Sequence, residues 1–423
     1  MTKISSISSR EILDSRGNPT VEATVILENG AIGVAAIPSG ASVGIHEAME
    51  LRDGDPKRFG GKGVLKVIAN IHDVLAPRII GLDAEEQKTV DQTLLAADGS
   101  PDKHVLGANS ILPLSLATAV AAANAKRVPL YQYLHDLSAT YGIRVEMGRI
   151  PTPVFNIING GKHGAGNLDI QEFMVVPATV KPYKESLQIG VEIYHALKKV
   201  LSYRNAVHSV GDEGGFAPNL YTNLDACEAI AEAVAETPYK INFDVFLGLD
   251  VAPSYFLKGD RYQIKDRSQP LTREEFIAYL EELNNQYHLI YLEDPLSEDD
   301  WAGWQKVTKQ LAGNMVIVGD DLLATNPARL AQAIKTKACT GILVKLNQIG
   351  SLTETLNVIK MAKDSGFRTI ISHRSGETND AFIADFAVAI ASDYVKFGAP
   401  ARGERVAKYN RLLAIDDELS SSY

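Results

Sequence analysis

A chain of 423 residues, 45% hydrophobic and 22% charged, can build two or more domains, or one large barrel with a smaller companion. Its formal net charge of −10 argues against the basic surface that general nucleic-acid binding needs, while leaving room for a local cluster of cations. Cys227 and Cys339 form no CxxC and no metal-ligand spacing, so reduced buried thiols in a reducing compartment are expected.

The first ten residues, MTKISSISSR, lack the apolar core of a signal peptide, and a cytoplasmic protein is expected. A three-stranded meander opens the chain. In TVEATVIL (20–27), Val21, Ala23, Val25 and Leu27 share one face, between the turn clusters DSRGNP and ENG; AIGVAAI (31–37) follows. The period then lengthens. VLKVIANIHDVLAPRI, EEQKTVDQTLLAA and NSILPLSLATAVAAANAKR read as helices, with Pro113 expected in the first turn of the third or at a kink. LATAVAAANA within it is short and alanine-rich, which predicts a packed helix, not a membrane span. Strands followed by helices mark an α+β domain, expected over 1–138.

The remainder, 139–423, alternates. Apolar runs occur at VFNII, IQEFMVV, FLGLD, LIYLE, MVIVGD, GILVK, RTIISH and YVKF, and most gaps between them carry a helical pattern. The first two runs are joined only by the glycine-rich NGGKHGAGN. This predicts an α/β barrel of (β/α)8 type with an irregular ββαα start.

Barrel strands deliver their C-terminal residues to one face, where active sites form. Here the runs end, in order, in Asp250, Glu293, Asp320 (with Asp321 beside it), Lys345, His373 (then Arg374 and Ser375) and Lys396. Three carboxylates are followed by three cationic or titratable ends. An oxygen-only set, Asp250, Glu293 and Asp320, favours magnesium over zinc. The lysines and Arg374 suit an anionic substrate carrying carboxylate and phosphate groups. A lysine beside a divalent cation and a second lysine is expected to have its pKa depressed, which suits a general base removing a proton α to a carboxylate. The pattern does not choose between Lys345 and Lys396.

Further candidates lie upstream. GDEGG (211–215) sets Asp212 and Glu213 among glycines, as either a ligand-approaching loop or an acidic turn. Gln171 and Glu172, among apolar neighbours, are either structural or catalytic. His163 sits on a glycine-rich loop. Gly40–Gly44 matches GxSxG, but Pro38 breaks the preceding strand and no clean helix follows, so a lid whose Ser42 reaches a ligand or metal is the better reading. FGGKG (59–63) lacks the spacing of a phosphate-binding P-loop.

The ordered set DSRGNPTVE, PSGAS, HEAMELRDGD, LGANSIL, NGGKH, QEFM, GDEGG, GLD, EDP, EDDW, GDDL, TNP, VKLNQIG, SHRSGET and GAPARGER resembles the enolase family over nearly the whole chain. The resemblance implies reversible dehydration of 2-phosphoglycerate to phosphoenolpyruvate with two magnesium ions. It implies Lys345 as the base at C2, and Glu213, assisted by Glu172, as the acid at the departing C3 hydroxyl. Asp250, Glu293 and Asp320 would hold the first ion, and Ser42 the second, bridging to phosphate. Arg374 and Ser375 would hold the phosphate and Lys396 would face the carboxylate. Gln171 and His373 would line the substrate site, and His163 would arrive on its loop. It also implies a homo-oligomer, dimer or octamer, with no nucleic-acid partner, and admits a secondary cell-surface location. Alternatives are another lyase of the superfamily, or a binding or structural relative with weak catalysis. Three positions depart from the family pattern: Val43 for threonine, Gly164 for alanine, and Phe397 for threonine. The last raises the expectation that a large ring displaces the ammonium of Lys396.

Overall fold

The computed structural model describes residues 2–40, 44–164, 166 and 168–421, the side chain of His163 excepted. Strands Ile4–Leu13, Pro19–Leu27 and Ile32–Ala36 form an antiparallel meander in chain order. Its central strand buries Val21, Ala23, Val25 and Leu27 at no more than 1% exposure, the face that the alternation predicts. The helix Ala108–Lys126 packs across this sheet. It is long and apolar enough to cross a membrane, yet 83% of its most apolar window is buried inside the fold, as a core helix.

Pro113 is the sixth residue of that helix, not in its first turn. The helix begins earlier than the pattern suggested, at Ala108 after Gly107. Burial on every side carries the helix through the lost N–H donor. The first predicted helix is present as a continuous helical stretch with a π-helical centre, Asn70–Leu75.

The larger sheet runs, in hydrogen-bonded order, Thr152–Pro153, Tyr394–Lys396, Arg368–Ser372, Gly341–Val344, Val316–Gly319, Tyr291–Glu293, Val245–Asp250, Glu172–Pro177 and Phe155–Asn159. Its first and last members are two segments of one stretch. Val154 joins them and donates its N–H to the Val395 carbonyl at 2.8 Å, so the sheet curls nearly shut into a barrel. Glu172–Pro177 is antiparallel to both neighbours; every other pairing beyond it is parallel. Two helices, Tyr183–Tyr203 and Asn223–Ala235, then follow before the next barrel strand, which is the expected ββαα start. Because Glu172–Pro177 is reversed, its first residue reaches the face where the parallel strands end, and Glu172 lies opposite Asp250.

One interior layer fills the barrel: Val154, Met174, Val176, Tyr291, Val318, Leu343, Ile370 and Tyr394. Side chains alternate along a strand, so the residue two positions on shares the interior face. From Tyr291, Val318, Leu343 and Tyr394, two steps lead to Glu293, Asp320, Lys345 and Lys396. Two steps back from Met174, on the reversed strand, lead to Glu172. The apolar layer is the floor on which the charged residues stand.

The small domain meets the barrel through buried polar contacts at the start of the helix Leu352–Asp364. Its Leu352 and Thr353 N–H groups donate to Ser115 Oγ at 3.0 Å and Asp91 Oδ2 at 2.9 Å. Inside the small domain, Gly33 permits the closest approach of strand to helix: a Cβ there would lie 2.0 Å from the Ala117 carbonyl oxygen and 2.3 Å from the Ala121 nitrogen. Both obstacles are helix backbone, which cannot step aside. Gly33→Ala is therefore expected to destabilise the chain by on the order of 3 kcal/mol, read from the urea midpoint. An unchanged midpoint would show that the helix shifts freely on the sheet.

Candidate active site

At the C-terminal end of the barrel, a polar cavity of about 80 Å³ is lined by Gln171, Glu172, Glu213, Asp250, Asp320, Lys345, His373, Arg374, Ser375 and Lys396, among others. Glu293 lies just beneath, fully buried. The structure thus brings together all the strand-end residues singled out above.

Two lysines organise the carboxylates. Lys396 Nζ lies 2.8 Å from Glu293 Oε1, 3.1 Å from Glu172 Oε2 and 3.2 Å from Asp250 Oδ2. Burial opposes its charge, but Glu172, Glu293 and Asp250 together overcome that and hold its pKa well above the ordinary lysine value. Lys345 Nζ contacts Asp320 Oδ2 at 2.5 Å. Burial again works against the ammonium, and Asp320 outweighs it together with the opposing charges of Arg374 and Lys396, so the pKa is raised. The depression expected of a base lysine is that of a lysine beside a divalent cation; the protein's own charges alone, with Asp320 in contact, act in the opposite direction.

The carboxylates remain crowded. Burial, with Asp250 beside it, pushes Glu293 up to about 8 despite Lys396. Burial and Asp320 push Asp321 up to about 6. Burial also acts against Asp320, but Lys345 and Lys396 hold it below the usual carboxylate range. Asp250 and Glu293 are register partners on neighbouring parallel strands, and Asp320 follows the next strand. This all-oxygen set, with one member driven towards protonation by its neighbours, fits a hard divalent cation such as magnesium. A second acidic group overlaps it: ligand oxygens of Asp294, Asp320 and Asp321 lie within 4.8 Å of one another. Asp294 already accepts from the Asp320 N–H at 3.0 Å and the Asp321 N–H at 2.7 Å, so it acts there as a clamp on the loop that aims Asp320. Its backbone has φ 39°, a turn of the chain that few non-glycine residues make and that swings its carboxylate towards the adjacent strand.

Glu213 sits across the cavity. It accepts from Ser375 Oγ at 2.8 Å and Asn156 Nδ2 at 3.0 Å, with His373 Nε2 at 3.5 Å. Arg374 donates to Glu47 at 2.8 Å and to Asn347 Oδ1 at 3.0 Å. Gln171 Nε2 donates to Asp250 Oδ2 at 3.2 Å. These contacts leave a cavity with an amine, a carboxyl group and a guanidinium in place, ringed by metal-type oxygen donors.

Two matches to family models account for this architecture. Residues 4–134 match the model described as the N-terminal domain of enolase, and residues 148–423 match the C-terminal TIM barrel domain of enolase. The chain belongs to the enolase family. An enolase-superfamily lyase is the class of enzyme that follows.

Ser42 lies outside the described residues, as does the side chain of His163. Several residues of this enolase site went unnoticed in the sequence. Glu47, Asn156, Asp294 and Arg405 carry no strand-end signal; they come from loops, from the antiparallel start and from the last helix. Only Asp294, the residue after Glu293, stood near one.

Phe397 corrects an expectation. It follows Lys396 and so faces the opposite side of the strand, away from the cavity. Its ring is fully buried 5.8 Å from that of Tyr409, on the C-terminal helix Gly403–Ser421. The ring does not displace the ammonium of Lys396. Phe397→Thr should cost about 3 kcal/mol of stability while leaving kcat per folded molecule within twofold, checked by denaturant titration alongside turnover. A changed kcat at full folding would return Phe397 to the site.

Burial, reinforced by the charge of Arg405, lowers the pKa of His373 to about 4 although Glu213 opposes this. The folded chain therefore holds fewer protons here than the unfolded chain between pH 6.5 and 4. The stability that the neutral ring contributes is complete above pH 6.5 and is lost as pH falls towards 4. A ¹⁵N NMR titration of the folded enolase should find this imidazole neutral at pH 6; a midpoint near 6.5 would contradict the burial argument.

Proposed function

We propose that the chain is a glycolytic enolase, interconverting 2-phosphoglycerate and phosphoenolpyruvate in the cytoplasm. The observation that carries this reading is that one cavity is lined by Lys345, Glu213 and Arg374 together with the oxygen donors Asp250 and Asp320. Asp250, Glu293 and Asp320 would hold a magnesium ion, and the family resemblance adds Ser42 for a second. When bound, the metal supplies positive charge against the charge that develops on the substrate carboxylate.

The protein's own groups carry the proton chemistry. Lys345, as a neutral amine, takes the C2 proton, and the electron pair of that C–H bond becomes the second bond between C2 and C3. The C3–O bond breaks, and Glu213 in its acid form gives the departing hydroxide a proton, releasing water. Glu172 lies beside Lys396 and assists at the same end of the cavity. Arg374 and Ser375 hold the phosphate, Lys396 and Gln171 face the carboxylate, and the family resemblance adds His163 near the substrate. For Lys345 to act, its ion pair with Asp320 must open first, so binding and base activation are coupled. The buried free cysteines support the cytoplasmic setting. A homo-oligomer is part of the same reading.

The test is direct. Protein, magnesium and 2-phosphoglycerate should give a rising ultraviolet absorbance from the enol product, abolished by chelation. Lys345→Ala should lower kcat by roughly 10²–10⁴-fold, the usual weight of a general base. An inactive folded wild type would reject the reading, and an active Lys345→Ala enzyme would reject the base.

A further inference from the structure

Arg405 is fully buried, on the C-terminal helix, and lies behind the cavity without lining it. Its guanidinium is nonetheless the hub of the site's rear wall. Nη1 lies 2.5 Å from His373 Nδ1 and donates to the Arg374 carbonyl at 2.6 Å. Nη2 donates to the Ser375 carbonyl at 2.6 Å and the Asp212 carbonyl at 3.1 Å. A guanidinium has donors only. The ring nitrogen that faces it must therefore accept, which leaves the other nitrogen, Nε2, to carry the proton of the neutral imidazole. That nitrogen is the one 3.5 Å from Glu213 Oε2.

We infer that Arg405 is a positioning residue: it selects the Nε2–H tautomer of His373 and ties the 211–215 and 373–375 loops together, so that Glu213 meets a donor rather than a lone pair. The opposite tautomer would set the lone pair of Nε2 against the carboxylate oxygen. The two loops share no other side chain that bonds to both backbones among the described residues. Asp212 precedes Glu213 and Ser375 is the hydroxyl partner of Glu213 on a separate segment, and one rigid fork fixes both backbones. The charge of the guanidinium also explains in part why the ring stays neutral, since a second proton on His373 would face it directly.

The role rests on the enolase reading for its kinetic arm only. ¹⁵N-histidine-labelled full-length protein, with His373→Asn to assign the signal, reports the tautomer without substrate. Wild type should show an unprotonated Nδ1 and a protonated Nε2. In Arg405→Gln, which is too short to reach the ring, the Nε2–H form should give way to a mixture, and kcat should fall at least tenfold with KM within threefold. A protonated Nδ1 in wild type overturns the inference, and this holds even where Arg405→Gln fails to fold. A folded Arg405→Gln that keeps the tautomer overturns it, whatever happens to kcat. So does a changed tautomer with unchanged turnover. If wild type has no activity on 2-phosphoglycerate, the functional reading fails and the tautomer measurement alone decides the role of Arg405.

Discussion

The structure depends on one constraint, the alternation of side chains along a β-strand. A barrel must fill its interior with apolar side chains, and the pleat then commits every second residue to the same interior line. Where the apolar layer ends, the next interior position opens at the barrel mouth. This chain places Glu293, Asp320, Lys345 and Lys396 at that step, on strands whose preceding interior residues are Tyr291, Val318, Leu343 and Tyr394. The same rule sends Phe397 to the outer side, towards the C-terminal helix. One geometric fact thus divides the charged residues of the cavity from the apolar packing behind them.

The consequence is a concentration of like charge that must be matched by cations. Buried carboxylates repel, and each buried charge is costly unless matched. Lys396 matches three of them at once, and Lys345 matches Asp320. Neutralisation is incomplete, as the raised pKa of Glu293 records. The all-oxygen set therefore suits a cation, and Arg374 lines the same cavity. The two lysines are not equivalent in this balance. Lys396 has three carboxylate partners and stays an ammonium, suited to holding a charge in place. Lys345 depends mainly on one, so one rearrangement frees it. That asymmetry distinguishes two lysines that the strand-end pattern alone left equivalent.

Much of this was legible in the sequence for a physical reason. The period-2 alternation of 20–27, the strand–helix recurrence of the barrel and the charged strand ends are all local signals, and local signals survive in one dimension. The start of the barrel was also readable, because two apolar runs joined by glycines leave no room for a crossover helix. What escaped depends on contacts between distant segments. Glu47 meets Arg374 across 327 residues, and Asn156 meets Glu213 across 57. Pro113 lies beyond the first turn of its helix, where the burial of the whole helix, a tertiary property, carries the chain through it. The contact of Lys345 with Asp320 was also out of reach, because the sequence shows which charges are near but not which one touches.

The small domain is part of the site rather than an appendage. Its first loop, 14–18, docks on the barrel loop that carries Arg374 and Ser375: the Ser15 N–H donates to the Glu377 carbonyl at 2.7 Å, and Ser39 and Gly376 exchange backbone bonds at 2.8 and 3.0 Å. Gly376 must be glycine, since a Cβ there would lie 2.3 Å from Asp14 Oδ2 and 2.8 Å from the Ser39 carbonyl. Arg16 then bonds the Ser39 and Gly40 carbonyls, fixing the chain just before position 41. Behind the same barrel loop, Lys408 pairs with Glu377 at 2.8 Å, and Glu377 accepts the Arg374 N–H at 3.1 Å. Arg374 is thus held from its backbone by the last helix and from its side chain by Glu47 of the small domain. This guanidinium is aligned by both domains, so the integrity of their contact, and not the barrel alone, sets its place in the cavity.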